Sequence, residues 1–215
     1  MCIIAYSPYG ERIKKSILKQ CFAYHGDGAG IMVRDEDGWI AFSKGLMSFT
    51  AFYSEYREIL SQFPECEYAL HFRTGTSGLN ELGCTHPFPL SNEETELNRL
   101  EGFVEYAMMH NGIVGRGEEC LSDTQVYVRD YLYPLRDVID DERVQELIET
   151  HIGDYNKFLI MTRKDTHLIG NWIEDNEIWY SNRDFEERVI VRDWRNYILN
   201  NDWDEKKSWE VLCEL

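Results

Sequence analysis

A cysteine directly follows the initiating methionine of this chain. Methionine excision favours a small second residue, and excision would leave Cys2 with a free α-amine. The reference pKa of such an amine is about 7.7–8.0, so a good fraction is unprotonated near neutral pH. It can take the proton from the thiol of its own residue, which puts nucleophile and base on one amino acid. Taken alone, Cys2 also reads as a small buried side chain in a strand. Three further stretches can do chemistry. His71-Phe72-Arg73-Thr74-Gly75-Thr76-Ser77-Gly78 ends an apolar run in a loop of small residues, and an arginine placed there can grip a carboxylate with two hydrogen bonds. In His110-Asn111-Gly112-Ile113 an amide side chain and a glycine N–H follow a second apolar run; together they can face a tetrahedral oxyanion, or form an ordinary Asn-Gly turn. Ser122-Asp123-Thr124-Gln125 precedes a helical pattern, where Asp123 can bind an ammonium group or serve as a plain N-cap.

The elements that position these groups follow from periodicity and punctuation. Residues 2–7 (CIIAYS) predict a short buried strand at the terminus. Residues 11–22 place Ile13, Ile17, Leu18 and Cys21 on one helical face. The stretch HGDGAGIMVRDEDGWIAFSKG predicts two strands joined by a turn at Asp37-Gly38. Residues 48–63 have a helical pattern, with Ser48 or Thr50 as cap. Strands are expected over residues 67–73 and 102–110, a helix from Ser122, Asp123 or Thr124 through Leu132, and another over 140–151, where Glu142, Glu146 and Glu149 form a solvated face. Strands return at 158–162, 167–170 and 177–180. Early and late strands with helices in two blocks predict an α+β fold in which sheets pack between helix layers. The chain reads as one domain over 1–215, with 189–215 a Trp-rich, charged extension of uncertain placement.

In their order these stretches resemble the glutaminase domain of the class II glutamine amidotransferases, a branch of the N-terminal nucleophile hydrolases. The matching residues are Cys2 after Met1, Gly28-Ala29-Gly30 in HGDGAGI, then HFRTGTSG, His86-Pro87 in THPF, HNGIV and SDTQ. The likeness runs over roughly residues 1–180. It implies an αββα sandwich of two antiparallel sheets. It implies that Cys2 attacks the side-chain amide of glutamine, that Asn111 and Gly112 stabilise the oxyanion, and that Arg73 and Asp123 bind the α-carboxylate and α-ammonium. Thr76 would lie in the loop bordering the substrate, and His71 and His86 would be structural supports. The departures are Gln125 where the motif commonly ends in Glu, Ser77 where some members carry His, and Thr74 where they carry Trp. They touch loop closure and the identity of a partner domain more than the nucleophile.

Composition narrows the rest. The chain has 22 Lys and Arg against 39 Asp and Glu, a net charge of −17. So acidic a chain is a poor match to nucleic acid or to an anionic membrane surface. None of the six cysteines makes a close CxxC pair, and no P-loop or dinucleotide fingerprint is visible, so neither metal nor cofactor is expected. His25, His151 and His167 lack ligand spacing and read as ordinary histidines. There is no signal peptide and no membrane-length apolar run, which predicts a cytoplasmic protein with reduced thiols. The expected activity is hydrolysis of L-glutamine to glutamate and ammonia through a Cys2 thioester, the ammonia passing to a separate acceptor enzyme because nothing after residue 180 is large enough to be a synthase. The alternatives are an N-terminal nucleophile hydrolase of γ-glutamyl peptides or conjugates, and a non-catalytic partner-binding module with the same fold.

Overall fold

Strand β1 (Ile3–Ser7) is buried along its whole length, and its unbroken apolar run has a simple cause. Ile3 and Ala5 enter one core while Ile4 and Tyr6 enter another, because successive side chains of a strand point to opposite faces. The structure, a computed structural model, describes residues 2–75 and 81–186; the predicted extension from residue 189 lies outside them, as does Thr76. In chain order β1 is followed by α1 (Lys15–Tyr24), β2 (Ala29–Arg34), β3 (Ile40–Leu46), α2 (Phe49–Gln62), β4 (Tyr68–Phe72), β5 (Phe88–Pro89) and α3 (Glu94–Asn98). Then come β6 (Glu101–Val104), β7 (Ala107–Asn111), α4 (Asp123–Tyr127), α5 (Tyr133–Leu135), α6 (Glu142–Ile152), β8 (Lys157–Met161), β9 (Thr166–Ile169), β10 (Ile173–Asp175) and β11 (Ile178–Tyr180).

The strands form two antiparallel sheets. The larger has the order β10-β11-β1-β4-β2-β3-β6 and the smaller β5-β7-β8-β9. Between them lies a core of Ile4, Met32, Phe42, Ala69, Met109, Leu159 and Met161. On its outer face the larger sheet packs Ile3, Leu70 and Phe72 against Leu18 of α1 and Phe52, Tyr56 and Leu60 of α2. The smaller sheet packs Met108, Phe158 and Ile160 against Val128, Leu132, Ile148 and Ile152. The expected α+β arrangement of two antiparallel sheets with helices is therefore present. Each fully buried Leu, Ile or Phe in these cores contributes about 1.5–3 kcal/mol relative to an exposed one.

Local signals account for the boundaries. Ser48 caps α2 by accepting from Ala51 N–H, as its residue type predicts. The β2–β3 turn is held by Asp35, whose Oδ1 accepts from the N–H groups of Asp37 and Trp39 at 3.0 and 2.7 Å. Helix α1 starts at Lys15 rather than residue 11; Ile13 is buried ahead of it, its N–H bonded to the Tyr56 hydroxyl. The expected strand over 102–110 is two strands in different sheets. Gly102 to Val104 pair with β3, and Ala107 onward pairs with β8. The break falls at Glu105-Tyr106, and a single charged residue between apolar ones reads equally as the outward-facing position of one continuous strand. The expected helix through Leu132 begins as α4 and widens to a π-helical turn over Val128–Leu132. Strand β10 pairs with β11 at the sheet edge and is too short and exposed for a sequence signal.

Candidate active site

Antiparallel pairing gathers the candidate residues at one end of the sheets. Ile3 lies opposite Phe72, so Cys2, just before β1, and Arg73, just after β4, emerge side by side. Strand β2 begins at the same edge, with Ala29 opposite Phe72, and Arg73 N–H donates to the Gly28 carbonyl at 2.8 Å. The smaller sheet is tied to this end by His71, whose Nε2 lies 3.1 Å from the His110 carbonyl across the two sheets. A carbonyl only accepts, so Nε2 carries the proton. That bond fixes the end of β7, where Asn111 and Gly112 leave the strand.

Cys2, Arg73, Gly112 and Asp123 line one pocket, together with Thr74, Cys84, His86 and His110. Among the described residues both hydrogen bonds of the Cys2 sulfur are to the Thr74 backbone. Thr74 N–H donates to Sγ at 3.4 Å, and Sγ–H points to Thr74 O at 3.6 Å. Burial pushes the Cys2 thiol up from its ordinary value, opposed by the Thr74 N–H bond and the charge of Arg73. A thiol held in its protonated form needs a base before it can attack. Arg73 and Asp123 are both buried, which places a cation and a carboxylate in the same desolvated space as the sulfur. Asp123 also accepts from Val114 N–H at 2.8 Å. It occupies the first turn of α4, whose N-cap is Ser122. The Ser122 hydroxyl accepts from Gln125 N–H while the Gln125 side chain accepts from Ser122 N–H, a reciprocal capping box.

The glycines explain how backbone approaches so closely here. Gly112 has φ +147°, and a Cβ on it would collide with Asn156 Oδ1 and come within 2.9 Å of His110 Nε2. At Gly30 a Cβ would overlap the His86 carbonyl, so the HGDGAGI and THPF stretches touch because one of them lacks a side chain. His86 is buried with its ring stacked on His71, centroids 4.0 Å apart. Both its ring nitrogens are without a hydrogen-bond partner among the described residues, and burial drives its pKa well below the ordinary histidine value. His110 is locked between Thr124 Oγ1 and Asn156 Oδ1, each at 2.8 Å. It too is held neutral, burial outweighing the Asn156 bond and the Asp123 charge.

No family model matches this chain, and no curated protein matches its sequence. Of the residues picked from sequence, Cys2, Arg73, Gly112, Asp123 and His86 line it, and His71 braces it from behind. Asn111 is buried beside Gly112, but its Nδ2 is engaged with Ser181 Oγ at 2.9 Å. Thr76 is outside the described residues.

Sequence reasoning missed a second ring of contacts. His25, read as an ordinary histidine, is buried, with Nδ1 2.8 Å from Thr74 Oγ1 and Nε2 3.3 Å from Asp184. Asn182 Nδ2 donates to the Cys2 carbonyl at 2.8 Å. Ser181, Asn182 and Asp184 come just after the last strand, beyond the residues that carried the family likeness, and no motif marks them. Lys44 is buried as well, its Nζ donating to the Gly83 and Leu97 carbonyls at 2.9 and 2.8 Å. Burial lowers its pKa to about 7. Among the described residues no group of three or more His, Cys, Asp and Glu side chains could hold a metal ion, and no helix is long and apolar enough to cross a membrane.

Proposed function

We propose that this chain is a class II glutamine amidotransferase-type glutaminase with the N-terminal nucleophile hydrolase fold, the αββα sandwich, acting on L-glutamine once Met1 is removed. One observation carries the reading. Four residues far apart in sequence, Cys2, Arg73, Gly112 and Asp123, line a single pocket, and Gly112 does so at a positive φ. Opposite charges in the same pocket as the thiol fit an amino-acid head group, Arg73 taking the carboxylate and Asp123 the ammonium.

The chemistry follows from the protonated state of the thiol. The Cys2 α-amine takes the thiol proton, and the sulfur attacks the amide carbon of the glutamine side chain. The carbonyl electrons move onto oxygen, where the Gly112 N–H and the Asn111 amide meet the charge. Collapse breaks the C–N bond, and the ammonium proton passes to the leaving nitrogen, giving ammonia and a γ-glutamyl thioester. Water, deprotonated by the same amine, attacks the thioester and releases glutamate and the thiol. Ammonia serves an acceptor only as the free base, so a docked ammonia-consuming enzyme belongs to the same proposal.

The test is mass spectrometry of the intact protein after a glutamine-analogue electrophile, read with ammonia release from glutamine. A single adduct on Cys2 and turnover that an uncleavable N-terminal extension abolishes are expected. Release from γ-glutamyl anilides but not glutamine would move the assignment to a γ-glutamyl hydrolase. Full activity in the extended protein would rule out the amine as base.

A further inference from the structure

Ser181 sits one residue after β11 and holds Ile4 at two points. Its N–H donates to the Ile4 carbonyl at 3.0 Å, and its Oγ accepts from Ile4 N–H at 2.9 Å. Ile4 is two residues from the nucleophile. The same Oγ lies 2.9 Å from Nδ2 of Asn111. A hydroxyl accepts twice and donates once, so with both acceptor positions used the Ser181 proton remains to be given. Meanwhile Asn111 Oδ1 is buried without a hydrogen-bond partner among the described residues. A buried acceptor left unpaired costs about 1–3 kcal/mol. One hydroxyl with a proton to give and one amide oxygen with none to accept therefore belong to neighbouring side chains.

A half-turn of the Asn111 amide gives the Ser181 proton an acceptor and Oδ1 a donor, and leaves the two Nδ2 protons to an acceptor that is absent from the resting site. The terminal torsion of asparagine is broad and roughly two-fold. After the turn Ser181 Oγ–H donates to Oδ1, Ile4 N–H still donates to Oγ, and Nδ2 occupies the position where the oxygen had no partner. Asn111 directly precedes Gly112, which lines the pocket, so on the glutaminase reading the acceptor that arrives is the reacting carbonyl oxygen. In the opposite orientation an oxygen lone pair would face a developing negative charge.

We propose that Ser181 is a positioning residue for the oxyanion site: its hydroxyl decides which end of the Asn111 amide meets the reacting carbonyl oxygen. This rests on the glutaminase reading. Ser181 does not touch substrate; it acts through Asn111, and its anchorage to Ile4 couples the amide to the strand that carries Cys2.

The experiment measures glutamine hydrolysis by the full chain as wild type, Ser181→Ala, Ser181→Thr, Asn111→Ala and the double variant Ser181→Ala/Asn111→Ala, with a thermal melt of each. Ser181→Ala should lower kcat about 10- to 100-fold with KM within about two-fold, a smaller loss than the roughly 100- to 1000-fold expected of Asn111→Ala. Ser181→Thr keeps the hydroxyl and should restore most of kcat. The double variant should be no slower than Asn111→Ala alone, because the serine has nothing left to position. Wild-type kcat in Ser181→Ala, a change in KM alone, or additive losses in the double variant would overturn the inference. A general effect of losing the Ile4 bond would persist without Asn111 and so would show itself as an additive loss in the double variant. If the wild type releases no ammonia, the glutaminase reading fails on its own. The Ser181 claim is then decided by the Asn111 side-chain amide resonances, whose protection must drop in Ser181→Ala and return in Ser181→Thr; unmoved resonances overturn it.

Discussion

Cys2 shows what burial does to a reactive side chain. The sulfur is held by two contacts to the Thr74 backbone and its pKa is raised by desolvation, so the proposed reaction requires a base, which the α-amine of Cys2 would supply. Under the proposed function, removing Arg73 or Asp123 should separate binding from chemistry. Arg73→Ala or Asp123→Ala should raise the Kd for glutamine by a factor corresponding to about 2–4 kcal/mol, the cost of a lost charge-assisted contact in a desolvated pocket. Cys2→Ala should abolish turnover and leave glutamine binding intact. Calorimetric titration of the three variants checks this, and equal affinity in Asp123→Ala and wild type would remove the head-group assignment.

At the scale of elements, the site depends on how strands end and how one short helix begins. Helix α4 presents Asp123 because Ser122 and Gln125 cap each other. Gln125 also reaches back to Asn98 Oδ1 at 2.9 Å, so the position where the family motif commonly ends in Glu here ties α4 to α3 through an amide. Ser122→Ala removes the cap and should destabilise the fold by about 1 kcal/mol. Because Asp123 adjoins the cap, KM for glutamine should rise with it while kcat changes less. Urea unfolding and steady-state kinetics on the same variant test the link; a stability loss with unchanged KM would show that Asp123 is held without the cap. Lys44 is a second element-scale device, joining β3 to the turn at Gly83 and to the end of α3. Its folded pKa of about 7 lies below the unfolded value, so between pH 7 and 9 the unfolded chain binds more protons. Stability should therefore rise over that window, by at most about 1.4 kcal/mol per pH unit. Lys44→Met should flatten the slope, as read from urea midpoints at pH 7, 8 and 9.

For the whole molecule the telling feature is the set of histidines sealed at the junction of the two sheets. His71, His86 and His110 are each buried, and burial lowers all three pKa values, that of His71 to about 3. Their folded values lie below the ordinary histidine value of about 6.5, so the unfolded chain takes up protons first. The stability they contribute is complete above pH 6.5 and is lost as pH falls below it, by up to about 1.4 kcal/mol per pH unit for each histidine. Unfolding should thus begin well above the range in which carboxylates titrate. Chemical denaturation at pH 7.5, 6 and 5 measures this, and equal stability at all three would contradict neutral buried rings. His71 joins the two sheets and His110 directly precedes Asn111, so under the proposed function the same protonation should disturb the oxyanion site.

The sequence by itself determined the alternating and continuous apolar runs, and with them most strands and both long outer helices of the larger sheet's cover and the smaller sheet's cover. It also narrowed the caps to Ser48 or Thr50 and to Ser122 or Asp123, of which the structure uses Ser48 and Ser122, and picked Cys2, Arg73, Gly112 and Asp123 out of the chain. These are local facts: residue type, spacing and turn chemistry act over a few positions. Only the tertiary structure decided that the run over 102–110 breaks between two sheets, since an apolar strand looks the same whichever sheet accepts it. Only the tertiary structure brought Ser181, Asn182 and His25 to the surroundings of Cys2, because a hydrogen bond across 180 residues, as from Asn182 to Cys2, leaves no periodic trace. And only register placed the thiol beside the guanidinium: a one-residue slip of β1 against β4 would turn Cys2 to the opposite face of the sheet.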